Sequence, residues 1–191
     1  MKRINKISYI SIIGAIICMI SCANMVLVQK TNNSSLAMHF KGLFHLGAAI
    51  NEEIILGNDQ QSETIVSSEF NSITPENSLK WMFIHPKPNT FDFNTADRYV
   101  ELGLKNDMYI VGHALVWHNQ LADFMQNIDN TVEMQEYVTN HVNIVVSRYR
   151  GKIDAWDVVN EAFDEDGTLR KSVFYNNLGE NYIRDVFKLA E

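Results

Sequence analysis

Residues 108–116 read MYIVGHALV, a nearly uninterrupted apolar run that is typical of a β-strand buried on both faces. Such strands belong to parallel sheets whose faces are covered by crossover helices. Three further strand candidates lie at residues 44–50 (FHLGAAI), 70–74 (FNSIT) and 153–159 (IDAWDVV). The second of these ends at Pro75, because proline has no N–H to donate to a β-ladder.

Helix-like stretches separate the strand candidates. Residues 130–150 give the clearest pattern, with Asn130 as the predicted N-cap and apolar residues at helical spacing behind it. Residues 94–106, with Asn94 as the predicted N-cap, and residues 182–191 give two more helices, and residues 62–68 a weaker one. The apolar faces expected for the second and third are Ala96, Tyr99, Val100 and Leu104, and Ile183, Val186, Phe187 and Ala190.

Strand and helix alternate four times along the chain, and this order predicts an α/β fold with a parallel sheet. Periodicity does not choose between an open doubly wound sheet and a (β/α) barrel. The glycine-rich G-x-G-x-x-G fingerprint and the Walker lysine of nucleotide-binding folds are both absent from the sequence.

The overall charge limits the class of partner. The 191 residues carry 16 basic and 23 acidic side chains, a net charge of −7. Nucleic acids and anionic lipid surfaces select basic proteins, so neither is an expected partner. A neutral polymer such as a polysaccharide is not excluded.

The N-terminal 22 residues have the composition of a secretion signal. Lys2, Arg3 and Lys6 precede an apolar run at residues 7–20, and Ser21-Cys22 follows it, as in a bacterial lipobox. We therefore predict a lipoprotein-type signal peptide (1–22), lipidation of Cys22, and a polar spacer at residues 23–39. The alternative is an ordinary signal peptide with an incidental cysteine.

The predicted processing sets the location and excludes thiol chemistry. Cleavage before Cys22 removes Cys18, so the mature chain has no cysteine pair for a disulfide or a thiolate metal site. The protein is expected to be secreted and held at a bacterial outer membrane or cell surface by its lipid alone. No metal site is expected, because His113 and His118 are five residues apart at a strand end and His141 lies on a helix. No organic cofactor is expected either.

Polar side chains cluster after the second, third and fourth strand candidates. In a parallel barrel the carboxyl ends of the strands open onto one face, where catalytic groups collect. The three clusters are Glu76, Asn77 and Lys80; His113, Trp117, His118 and Gln120; and Asn160 and Glu161.

These residue types suit the hydrolysis of a glycosidic bond, which requires two carboxyl groups. Glu161 is the candidate acid, provided that burial or a neighbouring carboxylate keeps it protonated. Trp81 and Trp117 offer flat rings for stacking against sugars, and Asn160 an amide for a hydroxyl. The acidic residues at 164–166 adjoin Gly167 and are read as a solvated turn rather than as the second carboxylate.

Three blocks of the sequence resemble glycoside hydrolase family 10. They are ITPENSLKW (73–81), GHALVWHNQL (112–121) and WDVVNEAFDEDG (156–167), and the resemblance covers residues 40–191. It implies a (β/α)8 TIM barrel, of which about the first four βα units are present, and a retaining endo-1,4-β-xylanase acting on xylan or xylo-oligosaccharides.

The resemblance also implies a role for each site residue. Glu161 corresponds to the general acid/base. The residues implied to bind substrate are Glu76, Asn77 and Lys80 on the glycone side, His113, Trp117 and Gln120 at the −1 subsite, and Asn160 at the 2-hydroxyl. His118 is expected to orient its neighbours.

The sequence departs from the family pattern in two ways. Asn89, Asn119 and residues 122–124 differ in loops, which affects subsite detail. The nucleophile block, which resembles T-E-L-D, does not occur among the 191 residues. We therefore expect a truncated or split gene product that is inactive alone, and a second polypeptide that completes the barrel is a candidate partner. The alternatives are a non-catalytic surface glycan-binding lipoprotein and a retaining endo-glycosidase for another β-glycan.

Overall fold

The structure, a computed structural model, describes residues 34–191. The predicted signal peptide, the lipidation site Cys22 and most of the predicted spacer lie outside this range. A short helix, α1 (Leu36–His39), occupies the last residues of that spacer, and the Ser35 hydroxyl caps it by accepting from the Met38 N–H. Regular structure thus begins slightly earlier than the composition indicated. No helix of the described range has the length and apolarity needed to cross a bilayer.

Four parallel strands form the sheet in the described chain. They are β1 (Gly47–Ile50), β2 (Ser72–Pro75), β3 (Tyr109–Val116) and β4 (Ala155–Val159), in the spatial order β1-β2-β3-β4. Every strand lies beside its neighbour in sequence, and the chain always moves on in one direction. A doubly wound sheet reverses direction at a switch point. Within residues 34–191 the strand order does not reverse, and such an order is typical of the wall of a (β/α) barrel.

The first strand is shorter than predicted. Residues 44–46 were expected to belong to it, but β1 begins at Gly47 and Phe44 is 53% exposed. The Asn71 side chain explains this start: its Oδ1 accepts from the Leu46 N–H at 2.7 Å, while the Asn71 N–H donates to the Leu46 carbonyl at 3.1 Å. The first hydrogen bond along this edge of β1 is therefore made to the Asn71 side chain rather than to a backbone carbonyl of β2.

Helices connect the strands and cover the sheet. They are α2 (Glu52–Ile55), α3 (Gln60–Glu69), α4 (Trp81–Ile84), α5 (Asn94–Lys105), α6 (Asp123–Gln126), α7 (Thr131–Tyr149), α8 (Val173–Leu178) and α9 (Tyr182–Ala190). The predicted cap of α7 is correct, since the Asn130 side chain accepts from the N–H groups of Val132 and Glu133. Helices of four to six residues were not predicted, because periodicity needs a longer window.

Three details of the predicted helices were wrong. Asn94 is the first residue of α5 rather than its cap, which is Phe93. Leu104 was placed on the buried face of α5 but is 52% exposed. Gly103 is the residue at which this helix closely approaches the sheet, since a Cβ on Gly103 would lie 2.5 Å from the Ile110 side chain of β3. Phe187 of α9 is 50% exposed, being turned about 100° away from buried Val186.

The core lies between the sheet and the longer helices. Tyr99 of α5 is fully buried, and its hydroxyl lies 2.8 Å from the Ile73 carbonyl of β2 and 2.7 Å from the Val111 carbonyl of β3. Gly112 of β3 makes room for the Trp156 ring of β4, since a Cβ there would lie 2.1 Å from Trp156 Cε3. These contacts fix the carboxyl ends of the strands relative to one another.

Candidate active site

The residues that follow the strands emerge at one edge of the sheet. The Glu76 N–H donates to the Ile50 carbonyl at 2.8 Å, and the Asn160 N–H donates to the Val116 carbonyl at 2.9 Å. Each bond continues a parallel ladder past the end of β2 or β4. The side chains after these strands are therefore carried to the same edge, as the sequence predicted.

Asn77 joins the clusters that follow β2 and β3. Its Oδ1 accepts from Lys80 Nζ at 3.3 Å and from Gln120 Nε2 at 3.2 Å, and its Nδ2 donates to Glu52 Oε2 at 3.4 Å. The amide is thereby oriented from both ends. The Gln120 backbone holds a φ of 48° and its carbonyl accepts from the Met82 N–H at 2.9 Å, which ties the two loops together.

Lys80 places a cation among carboxylates and beside an aromatic ring. Its Nζ lies 4.8 Å from the centre of the Trp117 ring. Burial lowers the pKa of Lys80, while the carboxylates of Glu76, Glu52 and Glu161 act in the opposite direction. The Lys80 ammonium group thus interacts electrostatically with carboxylates that follow β1, β2 and β4.

A cleft of about 350 Å³ opens at this edge, and that volume is in the range of small-molecule sites. Its lining includes Glu76, Asn77, Lys80 and His113. His113 Nδ1 lies 2.9 Å from Asp157 Oδ2 of β4. This contact fixes the orientation of the His113 ring and directs its Nε2 away from Asp157.

Glu161 lies at the edge of the cluster. Its backbone has a φ of 50°, its side chain is 47% exposed, and its Oε2 lies 3.7 Å from His118 Nε2. Burial and the Arg170 cation lower the pKa of His118, whereas Glu161 and Asp164 oppose that change. Of the two conditions set for Glu161 as the acid, burial or a neighbouring carboxylate, the described residues do not supply burial. Asn160, directly before it, is half-buried.

Trp81 is not a sugar platform, and that interpretation was wrong. Its side chain is 3% exposed, and its ring stacks on His141 with centroids 3.8 Å apart and an interplanar angle of 7°. Lys80 is the N-cap of α4, so Trp81 is the first residue of a helix and turns inward. Trp117, by contrast, is partly exposed beside Lys80.

Two residues of the site were missed from the sequence. Glu52 lies two residues after the end of β1, as Asn77 lies two residues after the end of β2, and that position was a usable signal. Its Oε2 accepts from Asn77, while its Oε1 is buried and has no hydrogen-bond partner among the residues that the structure describes. Arg170, nine residues after Glu161, gave no local signal. In residues 34–191, no group of three or more potential ligands is arranged to hold a metal ion.

The sequence profile of glycosyl hydrolase family 10 matches residues 35–191. The chain belongs to this family. It is 39% identical over 150 residues to endo-1,4-beta-xylanase 3 of Hypocrea jecorina, covering 78% of this chain and 43% of that one. It is 42% identical over 141 residues to endo-1,4-beta-xylanase B of Thermotoga neapolitana, covering 73% and 41%.

Solved structures of the family show the same fold. The crystal structure of xylanase 10B from Thermotoga petrophila RKU-1 in complex with xylobiose matches with a TM-score of 0.79 and 35% identity, over 83% of this chain and 49% of that one. The predicted fold is confirmed: the four βα units correspond to the first units of a (β/α)8 barrel. The chain spans about half the length of the relatives that it matches.

Proposed function

We propose that the protein hydrolyses internal β-1,4-xylosidic bonds of xylan with retention, and that Glu161 is its general acid/base. Membership of a family whose relatives are named as xylanases supports the substrate class. The observation that carries the assignment is the common edge on which Glu161 and the Asn77–Lys80–Gln120 cluster lie. One carboxyl group and a set of oriented donors thus lie at the same end of the sheet.

The proposed reaction is a double displacement. A nucleophilic carboxylate attacks the anomeric carbon while Glu161 gives its proton to the departing glycosidic oxygen; Glu161 then takes a proton from the water that releases the sugar. Retention requires the two carboxyl groups to be about 5–5.5 Å apart. The sequence contains no block resembling T-E-L-D, so we propose that polypeptide other than these 191 residues supplies the nucleophile.

Sugar recognition is assigned to the groups already oriented before substrate arrives. Asn77 is held by Lys80, Gln120 and Glu52, so its amide loses little freedom when it exchanges one of these contacts for a hydroxyl. His113 is braced by Asp157, so its ring is oriented before a sugar hydroxyl reaches Nε2. Glu76, Trp117 and Asn160 border the same edge. A neutral, hydroxyl-rich ligand matches this mixture of donors and acceptors.

The direct test is reducing-sugar release from xylan by the complete barrel, in which these 191 residues are joined by the polypeptide that supplies the nucleophile, with and without Glu161→Gln. We expect the substitution to lower turnover by about 10²–10⁴-fold, the usual contribution of general acid–base catalysis. Glu165→Gln, in the exposed turn that follows, is the matched control and should keep the rate. Equal rates for Glu161→Gln and the parent would refute the role of Glu161. Comparison with mixed-linkage glucan and cellulose separates xylan from other β-glycans.

The preformed Asn77 cluster favours a second candidate, glycan binding without hydrolysis by the 191-residue chain alone. Calorimetric titration with a xylo-oligosaccharide tests it. Asn77→Ala should weaken binding by about tenfold, the cost of one hydrogen bond of ~1.4 kcal/mol. Asn143→Ala, on the exposed face of α7, should leave affinity unchanged. Absence of heat for the parent chain would dismiss this candidate.

A further inference from the structure

The direction of the Glu161 side chain is set by its backbone. The side chain is 47% exposed, and its ionic contact, with His118, is as long as 3.7 Å. Within residues 34–191, neither close packing nor a short hydrogen bond therefore holds the carboxyl group in place. The backbone φ of 50° lies in the left-handed region, a strained conformation that a non-glycine residue keeps only where its surroundings enforce it.

The Arg170 guanidinium supplies that enforcement. Its Nε donates to the Glu161 carbonyl at 3.0 Å, and its Nη2 donates to the Phe163 carbonyl at 3.1 Å. Its Nη1 lies 3.0 Å from Asp164 Oδ1. One side chain thus contacts three of the four residues that follow Asn160, using the planar fork of donors that distinguishes arginine from lysine.

The turn that returns the chain to Arg170 is itself well determined. The Asp164 N–H donates to the Thr168 carbonyl at 2.8 Å, and the Arg170 N–H donates to the Ala162 carbonyl at 2.9 Å. Asp166 closes the turn, its Oδ1 accepting from the Thr168 N–H at 2.9 Å. Arg170 is therefore delivered to the Glu161 carbonyl by a short antiparallel pairing rather than by a free loop.

We propose that Arg170 is a positioning residue for Glu161, which holds the left-handed backbone after β4 and so keeps the carboxyl group beside His118. Its relevance to catalysis rests on the proposed function, but the placement itself does not. Arg170 donates to the main chain of residues 161 and 163, so it acts on Glu161 through the backbone rather than on a substrate.

A titration cycle on the complete chain tests the proposal without any substrate. The pKa of His118 is measured by NMR from its imidazole Cε1–H signal, with and without Glu161→Gln. In the parent protein this substitution should lower the pKa of His118, because the carboxylate favours the protonated ring. In the Arg170→Lys and Arg170→Gln backgrounds, the same substitution should change that pKa by less than half as much, since the carboxyl group is no longer held nearby.

The control is Arg184→Gln, which removes an equal charge from an exposed arginine paired with its neighbour Asp185. The response of His118 to Glu161→Gln should be unchanged in this background. An undiminished response in Arg170→Lys would overturn the proposal, and Arg170→Lys decides the matter if Arg170→Gln does not fold. The pKa measurement does not depend on hydrolysis, so a negative result in the xylan assay would refute the proposed function without refuting the positioning role of Arg170.

Discussion

Acidification should destabilise the protein through a pair of buried histidines. His85, which follows α4, and His141 of α7 are both 0% exposed, and their Nδ1 atoms lie 3.3 Å apart. The His141 ring stacks on Trp81 and the His85 ring on Phe91, with centroids 3.8 Å and 4.1 Å apart. Between neutral rings one Nδ1–H donates to the other Nδ1, whereas two protonated rings would direct two N–H groups at each other.

The size of the effect follows from linkage between protonation and folding. Burial lowers the pKa of His85 from its ordinary 6.5 to about 4. Between these values the unfolded chain binds a proton that the folded chain excludes, so the free energy of unfolding decreases as the pH falls. From pH 7 to pH 5, His85 alone should remove about 2 kcal/mol. Burial, and then the proximity of His85, also lower the pKa of His141, which adds to the loss.

Urea unfolding followed by tryptophan fluorescence at pH 7, 6 and 5 measures this dependence. His85→Phe replaces the imidazole by an apolar ring among Phe91 and Phe124, and it should flatten the dependence on pH whatever its effect on stability at pH 7. His39→Gln, at an exposed position, is the control and should keep the parent's dependence. Equal losses between pH 7 and pH 5 in the parent and in His85→Phe would refute the reasoning.

Two substitutions test the contacts that align the strands. Gly112→Ala places a Cβ 2.1 Å from the Trp156 ring and should cost about 1–3 kcal/mol of unfolding free energy in urea; a change below about 0.5 kcal/mol would contradict that packing. Tyr99→Phe removes the hydroxyl that lies 2.8 Å from the Ile73 carbonyl and should lower the free energy of unfolding by about 1–3 kcal/mol. Tyr175→Phe, which changes a partly exposed ring, is the control. Equal losses of unfolding free energy in the two variants would argue against the buried hydrogen bond.

Several features were predicted correctly from the sequence because the interactions that decide them are local or follow from the topology. The cap of α7 was predicted because Asn130 contacts N–H groups only two and three residues away. The edge on which the site residues gather was predicted because parallel strands open onto one face. The resemblance in the three blocks identified the family, and the profile match over residues 35–191 confirms it. The roles of the individual site residues remain predictions.

The tertiary structure decided which neighbours in sequence become neighbours in space. Lys80 and Trp81 are adjacent, yet one faces the cleft and the other lies buried against His141. Gln120 reaches Asn77 across 43 residues of sequence, and Arg170 reaches back to the Glu161 carbonyl. Such contacts depend on the rotation of each helix and the register of each strand. Periodicity and capping patterns indicate which elements are present and roughly where they lie, but only packing against the rest of the core fixes how each is turned.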